Sequence, residues 1–238
     1  MTPSIAPALE IANLTSGYGE AMVLRNVSLS LPRGEVLAVL GKNGMGKSTL
    51  LKTVMGFLPA RGGGVRVAGT LTTGLAPHRM AALGVAYSPQ DQAIFHDLSV
   101  EENLRLGVRR DRGFEERLAH VATFFPFLAQ RRRQTAGTLS GGEQKMLIMA
   151  RGLMARPRLM LVDEITEGLQ PSVIHRLTEV LRSELAAFDL TILLIEQNVQ
   201  FALSLATRYA VLARGEITEA GRTDEAGTQA RIHAQLAV

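Results

Sequence analysis

Val36-Leu37-Ala38-Val39-Leu40, running directly into Gly41-Lys42-Asn43-Gly44-Met45-Gly46-Lys47-Ser48, decides the fold. Five consecutive apolar residues suit a central strand buried on both faces, the usual state of a strand in a parallel sheet. The next eight residues spell G-x-x-x-x-G-K-S, a loop set between a strand and a helix. Its glycines let backbone N–H groups converge on phosphate oxygens without side-chain collisions. The helix N-terminus that follows adds its partial positive charge. Lys47 is placed to reach β- and γ-phosphates and the Ser48 hydroxyl to ligate Mg2+. At average residue usage the pattern arises by chance in roughly one chain of this length in a hundred, and the strand–loop–helix setting lowers that further.

Outward from this stretch the pattern is that of an α/β domain. Upstream, Leu9–Ala12 and Val23–Leu31 read as strands, with a turn at Pro32-Arg33-Gly34. Downstream, a helix runs to about Gly56, and Val65-Arg66-Val67 is a short peripheral strand of the antiparallel kind. Ser99 to Arg156 reads as helical: Val100, Leu104 and Val108 share one face, as do Val121, Phe124, Phe125 and Leu128. Buried-strand character returns at Leu159–Val162, Thr191–Ile195 and Ala210–Leu212. Between the first two runs lies an amphipathic helix with Val173, Ile174, Leu177, Val180, Leu181 and Leu185 on one side. Strands alternating with helices predict a mostly parallel sheet, interrupted by an inserted helical segment.

Composition bounds the chemistry. The 238 residues are 46% hydrophobic and 20% charged, enough to build a core. The net charge of +4 is too small and scattered to argue for nucleic acid. Cysteine is absent, which excludes disulfides, thiolate metal sites and cysteine catalysis. The five histidines show no metal-ligand spacing. Met1 to Pro7 lacks the basic start and apolar stretch of a signal peptide, and no apolar run approaches the ~20 residues that span a bilayer. The expectation is a soluble chain that acts at a membrane only through a partner.

Two further segments carry chemistry. Leu159–Val162 ends in Asp163-Glu164, and carboxylates where a parallel strand emerges point into the crevice at which α/β sheets bind ligands. Asp163 is placed to hold Mg2+, and Glu164 to orient or deprotonate the water that attacks a γ-phosphate. Leu139-Ser140-Gly141-Gly142-Glu143 opens the helix carrying Leu147, Ala150 and Met154. A hydroxyl and two glycines at a helix start make either an ordinary cap or a second anion-binding terminus.

The order phosphate loop, Ser88-Pro89-Gln90, Leu139–Glu143, Asp163-Glu164 resembles the nucleotide-binding subunit of ATP-binding cassette transporters, from about Leu9 to Gly221. The resemblance implies a RecA-like P-loop core with an N-terminal antiparallel β subdomain and a helical insertion. That is a single domain, 1–238, with 1–90 and 157–238 forming the core and 91–156 the insertion. It implies ATP and Mg2+ as ligands and two subunits sandwiching two ATP molecules, each signature helix capping the partner's nucleotide. ATP would be held by Tyr18 stacking on adenine, by Gly41, Asn43, Gly44, Gly46, Lys47, Ser48 and Thr49, and by Ser140, Gly141 and Gly142. Mg2+ would be held by Ser48, Gln90 and Asp163, and catalysis would fall to Glu164, Gln197 and Gln90. The surface from about Asp91 to Leu104 would receive the membrane subunits.

Some positions depart from that family's pattern. Gln197 stands where many members have a histidine; it can donate to phosphate but carries no charge. Ile165 and Gln170 replace the usual proline and aspartate. Glu167-Gly168-Leu169 before Pro171, with Glu196-Gln197-Asn198, is similar to the LivF-type ATPase of bacterial importers for hydrophobic amino acids and amides. That implies a second ATPase subunit, two membrane permease subunits and an extracytoplasmic binding protein, with this chain peripheral at the cytoplasmic face of the inner membrane. Branched-chain amino acids are the first cargo implied; urea or short amides are the alternative. A soluble cassette ATPase of DNA repair or translation, with Arg109-Arg110 and Arg131-Arg132-Arg133 as basic patches, is the reading from another class.

Overall fold

The computed structural model describes residues 6–90, 94–108 and 113–237. Residues 91–93, at the start of the expected membrane-subunit surface, and Arg109-Arg110 lie outside it, as does most of the Met1–Pro7 stretch. The strands are β1 (Leu9–Tyr18), β2 (Ala21–Leu31), β3 (Val36–Leu40), β4 (Ala60–Val67), β5 (Thr70–Leu71), β6 (Val85–Ser88), β7 (Leu159–Asp163), β8 (Thr191–Glu196), β9 (Arg208–Ala213) and β10 (Glu216–Arg222). The helices are α1 (Lys47–Val54), α2 (Pro77–Ala82), α3 (Val100–Arg105), α4 (Phe114–Phe124), α5 (Phe127–Gln130), α6 (Gly141–Met154), α7 (Pro171–Ala187), α8 (Val199–Leu205) and α9 (Thr228–Ala237).

Two sheets form. One is antiparallel, in the order β2-β1-β4-β5; the other has the order β10-β9-β3-β8-β7-β6 and is parallel except for β10. The continuous apolar runs of β3, β7 and β8 follow from a sheet covered on both sides. Val36, Ala38 and Leu40 face a core shared with α6, α7 and α8, together with Met160, Val162, Ile192 and Leu194. Leu37, Val39, Leu159, Leu161, Leu193 and Ile195 face the other core, shared with α1 and the antiparallel sheet. The apolar face of α7 lies on the first core with all six of its anticipated residues. Helices α3 to α6 are inserted between β6 and β7, strands that pair directly in parallel.

The structure corrects several local readings. β1 runs past Ala12 to Tyr18 by way of register shifts, with Asn13 in the left-handed region at φ 48°. β4 extends back to Ala60 through three glycines that weaken any strand signal. Gly63 is required there: its φ is +72°, and a Cβ would come within 2.3 Å of the Ala12 carbonyl. Val108 lies beyond the end of α3. Phe124 and Leu128 sit on separate helices because the chain breaks at Phe125-Pro126. Strand β6, the surface strand β10 and helices α2, α8 and α9 are elements the apolar periodicity did not reveal.

Candidate active site

β3, β8 and β7 are parallel neighbours, with Leu40 beside Glu196 and Asp163 beside Ile195. The loop after Leu40, the carboxylates at 163–164 and the residues after Glu196 therefore emerge side by side at one edge of the sheet. Gly46 caps α1 with φ 102°, and a Cβ there would press on Leu24 and Val23 at 3.1–3.2 Å. Glycine at this point lets the loop turn into the helix with its N–H groups exposed to a ligand.

Lys47, Ser48, Asp163, Glu164 and Gln197 converge. Lys47 is 4% exposed; its Nζ pairs with Glu164 Oε1 at 2.8 Å and donates to the Lys42 carbonyl at 2.9 Å. Gln197 Nε2 donates to the other Glu164 oxygen at 2.8 Å. Ser48 Oγ donates to Asp163 Oδ1 at 3.2 Å, and the Tyr87 hydroxyl donates to Oδ2 at 3.4 Å. Glu164 itself is held at φ 43°, left-handed backbone that costs a non-glycine residue roughly 1 kcal/mol or more, and its N–H donates to Ile195 O at 2.9 Å.

Burial shapes the charges. Desolvation is the largest influence on Asp163 and pushes its carboxyl above the ordinary aspartate range. The hydrogen bonds from Ser48 and Tyr87 and the nearby Lys47 act against this, and Glu164 adds to it. Burial, then Asp163, raises the Tyr87 hydroxyl far above the usual phenol range. A carboxyl with a raised folded pKa supplies stability below its unfolded pKa and loses it as pH climbs through the folded value. Asp163→Asn is therefore expected to stabilise the nucleotide-free protein at pH 7, by an amount that shrinks as pH falls towards the ordinary aspartate range. Urea midpoints at pH 7 and pH 4.5 check this; a gain that grows on acidification contradicts the assignment.

Glu196, read from the sequence only as part of a subfamily motif, is a central brace. It is 2% exposed and accepts from Thr166 N (3.1 Å), Thr166 Oγ1 (2.9 Å), Gln197 N (3.3 Å) and Asn198 N (3.4 Å). It ties the turn after Glu164 to the turn bearing Gln197. Burial raises its carboxyl above the usual range, against the pull of the Thr166 bonds. Glu196→Ala leaves a buried Thr166 N–H without an acceptor, a loss of about 1–3 kcal/mol read from denaturant midpoints. The sequence signal was an acidic residue ending an apolar strand, the same signal that pointed to Asp163. Tyr87 had none beyond its place before Ser88-Pro89-Gln90.

Other expected site residues stand apart from this cluster. Gln90 Nε2 donates to Glu167 Oε2, and Lys145 Nζ donates to the Glu167 carbonyl at 2.7 Å, so the turn after Glu164 is held to α6 as well. Ser140 caps α6 in a reciprocal box with Glu143: its Oγ accepts from Glu143 N at 3.3 Å, while its own N–H and O–H donate to Glu143 Oε2. Tyr18 is half exposed at the end of β1. Among the described residues no hydrogen bond joins Tyr18, Gln90 or Ser140 to the 41–48 loop. Arg131 of the basic run pairs with Glu143, and Arg132 with Glu101 and Glu115, which leaves less of that run for nucleic acid.

The oxygen donors suit a hard cation. Ser48 Oγ and Asp163 Oδ1 approach each other, whereas no group of three or more His, Cys, Asp or Glu side chains forms a cage among the described residues. Mg2+ is ordinarily held by one or two protein ligands with phosphates and water, which this arrangement fits.

The family described as ABC transporter matches residues 24–167, more than half of the chain. The chain belongs to the ABC transporter family. Members of that family are ATPases coupled to transport, and this chain is one of them. The ABC transporter ATPase is 38% identical over 212 residues to the "High-affinity branched-chain amino acid transport ATP-binding protein BraG" of Pseudomonas aeruginosa, covering 88% of this chain and 90% of that one. It is 36% identical to the "Probable branched-chain amino acid transport ATP-binding protein LivF" of Archaeoglobus fulgidus, covering 91% and 93%. Among solved structures, a nucleotide-free ATP-binding cassette from an ABC transporter superimposes with TM-score 0.82 at 26% identity, covering 91% of each chain. An ATP-binding subunit of an ABC transporter gives 0.84 at 26%, covering 97% and 100%. The α/β fold is that of the RecA-like ABC ATPase domain.

Proposed function

We propose that the chain binds MgATP on the 41–48 loop and hydrolyses it with Glu164 as base, powering an importer of branched-chain and other hydrophobic amino acids. The convergence of Lys47, Ser48, Asp163, Glu164 and Gln197 at one sheet edge carries the chemical part of this reading. The two relatives named for branched-chain amino acid transport carry the cargo.

Lys47 receives the β- and γ-phosphates, and the N–H groups of residues 43–48 and the start of α1 close around them; Thr49 extends that contact. Ser48 and Asp163 hold Mg2+, with Gln90 as a further ligand once it leaves Glu167; the cation supplies charge neutralisation to the triphosphate. Glu164 takes the proton of the attacking water as the water oxygen bonds phosphorus and the β–γ bridging oxygen leaves with ADP. Gln197 orients Glu164 and donates to the γ-phosphate. Tyr18 stacks on adenine. Residues 1–90 and 157–238 serve as the core and 91–156 as the insertion. Ser140, Gly141 and Gly142 cap the nucleotide of a second ATPase subunit. Two permease subunits, fed by an extracytoplasmic binding protein, receive the resulting motion at the cytoplasmic face. Among the described residues no helix is long and apolar enough to cross a membrane.

Reconstitution with the permease subunits and binding protein tests this: ATP-dependent uptake of labelled leucine is expected, with none for Glu164→Gln. Uptake of urea in place of leucine would move the cargo to the amide branch while leaving the ATPase reading intact.

A further inference from the structure

A cavity of about 440 Å³ opens at the opposite end of the parallel sheet from the phosphate loop. Its wall is built where strands begin: Arg33 lies just before β3, Arg158 immediately before β7, and Asp189 and Leu190 immediately before β8. The other side comes from α4, the end of α6 and the end of α7, so the cavity spans the junction of the helical insertion with the core. The volume is that of a small-molecule site.

Its chemistry is divided. Val121, Leu153, Met154 and Leu190 are buried and give an apolar floor. Four guanidinium groups and two carboxylates surround it, and most are engaged. Arg117 donates to the Met154 carbonyl, Arg156 pairs with Glu116 at 2.6 Å, and Arg33 donates through Nε to Ala6 O at 3.3 Å. Glu184, 5% exposed, binds His120 at 2.6 Å through one oxygen, and its other oxygen makes no hydrogen bond among the described residues. Arg158 and Asp189 line the same cavity, yet neither side chain makes a hydrogen bond or ion pair among the described residues.

We propose that this cavity is a second ligand site that binds a hydrophobic α-amino acid. Its carboxylate would be taken by Arg158 and the terminal nitrogens of Arg33, its ammonium by Asp189 and the second oxygen of Glu184, and its side chain by the apolar floor. A carboxylate matches the planar fork of arginine, and a cationic centre beside it matches the two acidic groups. A simple anion would leave Asp189 without a role. The ligand would touch α4, α6 and the strand starts together, and so bind the insertion to the core at a point remote from ATP.

Calorimetry on the full chain without nucleotide tests the proposal with L-leucine, with 4-methyl-2-oxopentanoate (no ammonium), with 3-methylbutylamine (no carboxylate) and with inorganic phosphate. Leucine is expected to bind with a Kd below about 1 mM and the other three at least about tenfold more weakly. Arg158→Ala and Asp189→Asn, both surface changes, are each expected to weaken leucine by about tenfold or more while leaving ATP binding unchanged. Absence of leucine binding overturns the site, as does oxo-acid or phosphate binding of equal strength or indifference to both substitutions. Because the readout needs neither ATP nor transport, its failure leaves the ATPase reading untouched, and failure of that reading leaves this one standing.

Discussion

Replacing Lys47 with methionine is expected to abolish the proposed nucleotide binding and also to destabilise the protein by about 3–5 kcal/mol, the cost of leaving one partner of a buried ion pair alone. Two separate roles combine in this side chain. Toward ligand, Lys47 is the charge proposed to meet the β- and γ-phosphates. Toward the fold, it is the cation beside Glu164, and both groups are almost fully enclosed, with side-chain exposures of 3% and 5%. Methionine preserves the length and apolar bulk of the stem, so the loss reads the charge and not a cavity. The Lys47→Met/Glu164→Gln double variant separates the roles: with no buried charge left unpaired, most of the stability returns, whereas ATP binding does not. Denaturant midpoints and fluorescent-nucleotide titration on the same four proteins give the cycle. A double variant as unstable as Lys47→Met would show that the pair is not what holds this region.

With Glu164 as the proposed base, Glu164→Gln is expected to lower turnover by about 100- to 10,000-fold, the range set by removal of a general base. The geometry adds an expectation about binding. Lys47 pairs with Glu164 and Gln197 donates to it, so a triphosphate taken up by Lys47 competes with this pair. Neutralising Glu164 removes the competitor, so ATP affinity rises as turnover falls. Phosphate-release assays and equilibrium titration check the two halves. Equal loss of affinity and rate would mean that Glu164 organises the loop and does not act on water.

The chain makes clear how far local reading reaches. The run 36–48 specified strand, loop and helix because each choice is local: apolar continuity, glycine at positive φ and a helix start. The same held for Leu159–Glu164 and for the apolar face of α7. Readings failed where a tertiary partner supplies what the sequence lacks. β4 survives three glycines because β1 pairs with it along them, Ala12 beside Gly64 and Thr15 beside Gly62, while β5 adds pairing only at Arg66 and Val67. β10 alternates only between half-exposed and exposed residues, yet it is held along the edge of β9. The break at Phe125-Pro126 ended a helix that the spacing of apolar residues would have continued.

The sequence by itself determined the α/β pattern and the glycine-rich 41–48 loop and singled out Lys47, Ser48, Asp163 and Glu164 as candidates, because those follow from periodicity and from motifs a few residues long. Only the tertiary structure decided that Glu164 is held by Lys47 and Gln197, that Glu196 braces two turns thirty residues apart, and that Arg158 and Asp189 share a cavity. Those relations join residues distant along the chain. They arise from the parallel ordering of β3, β8 and β7, which brings the carboxyl ends of three strands together at one edge and their amino ends together at the other.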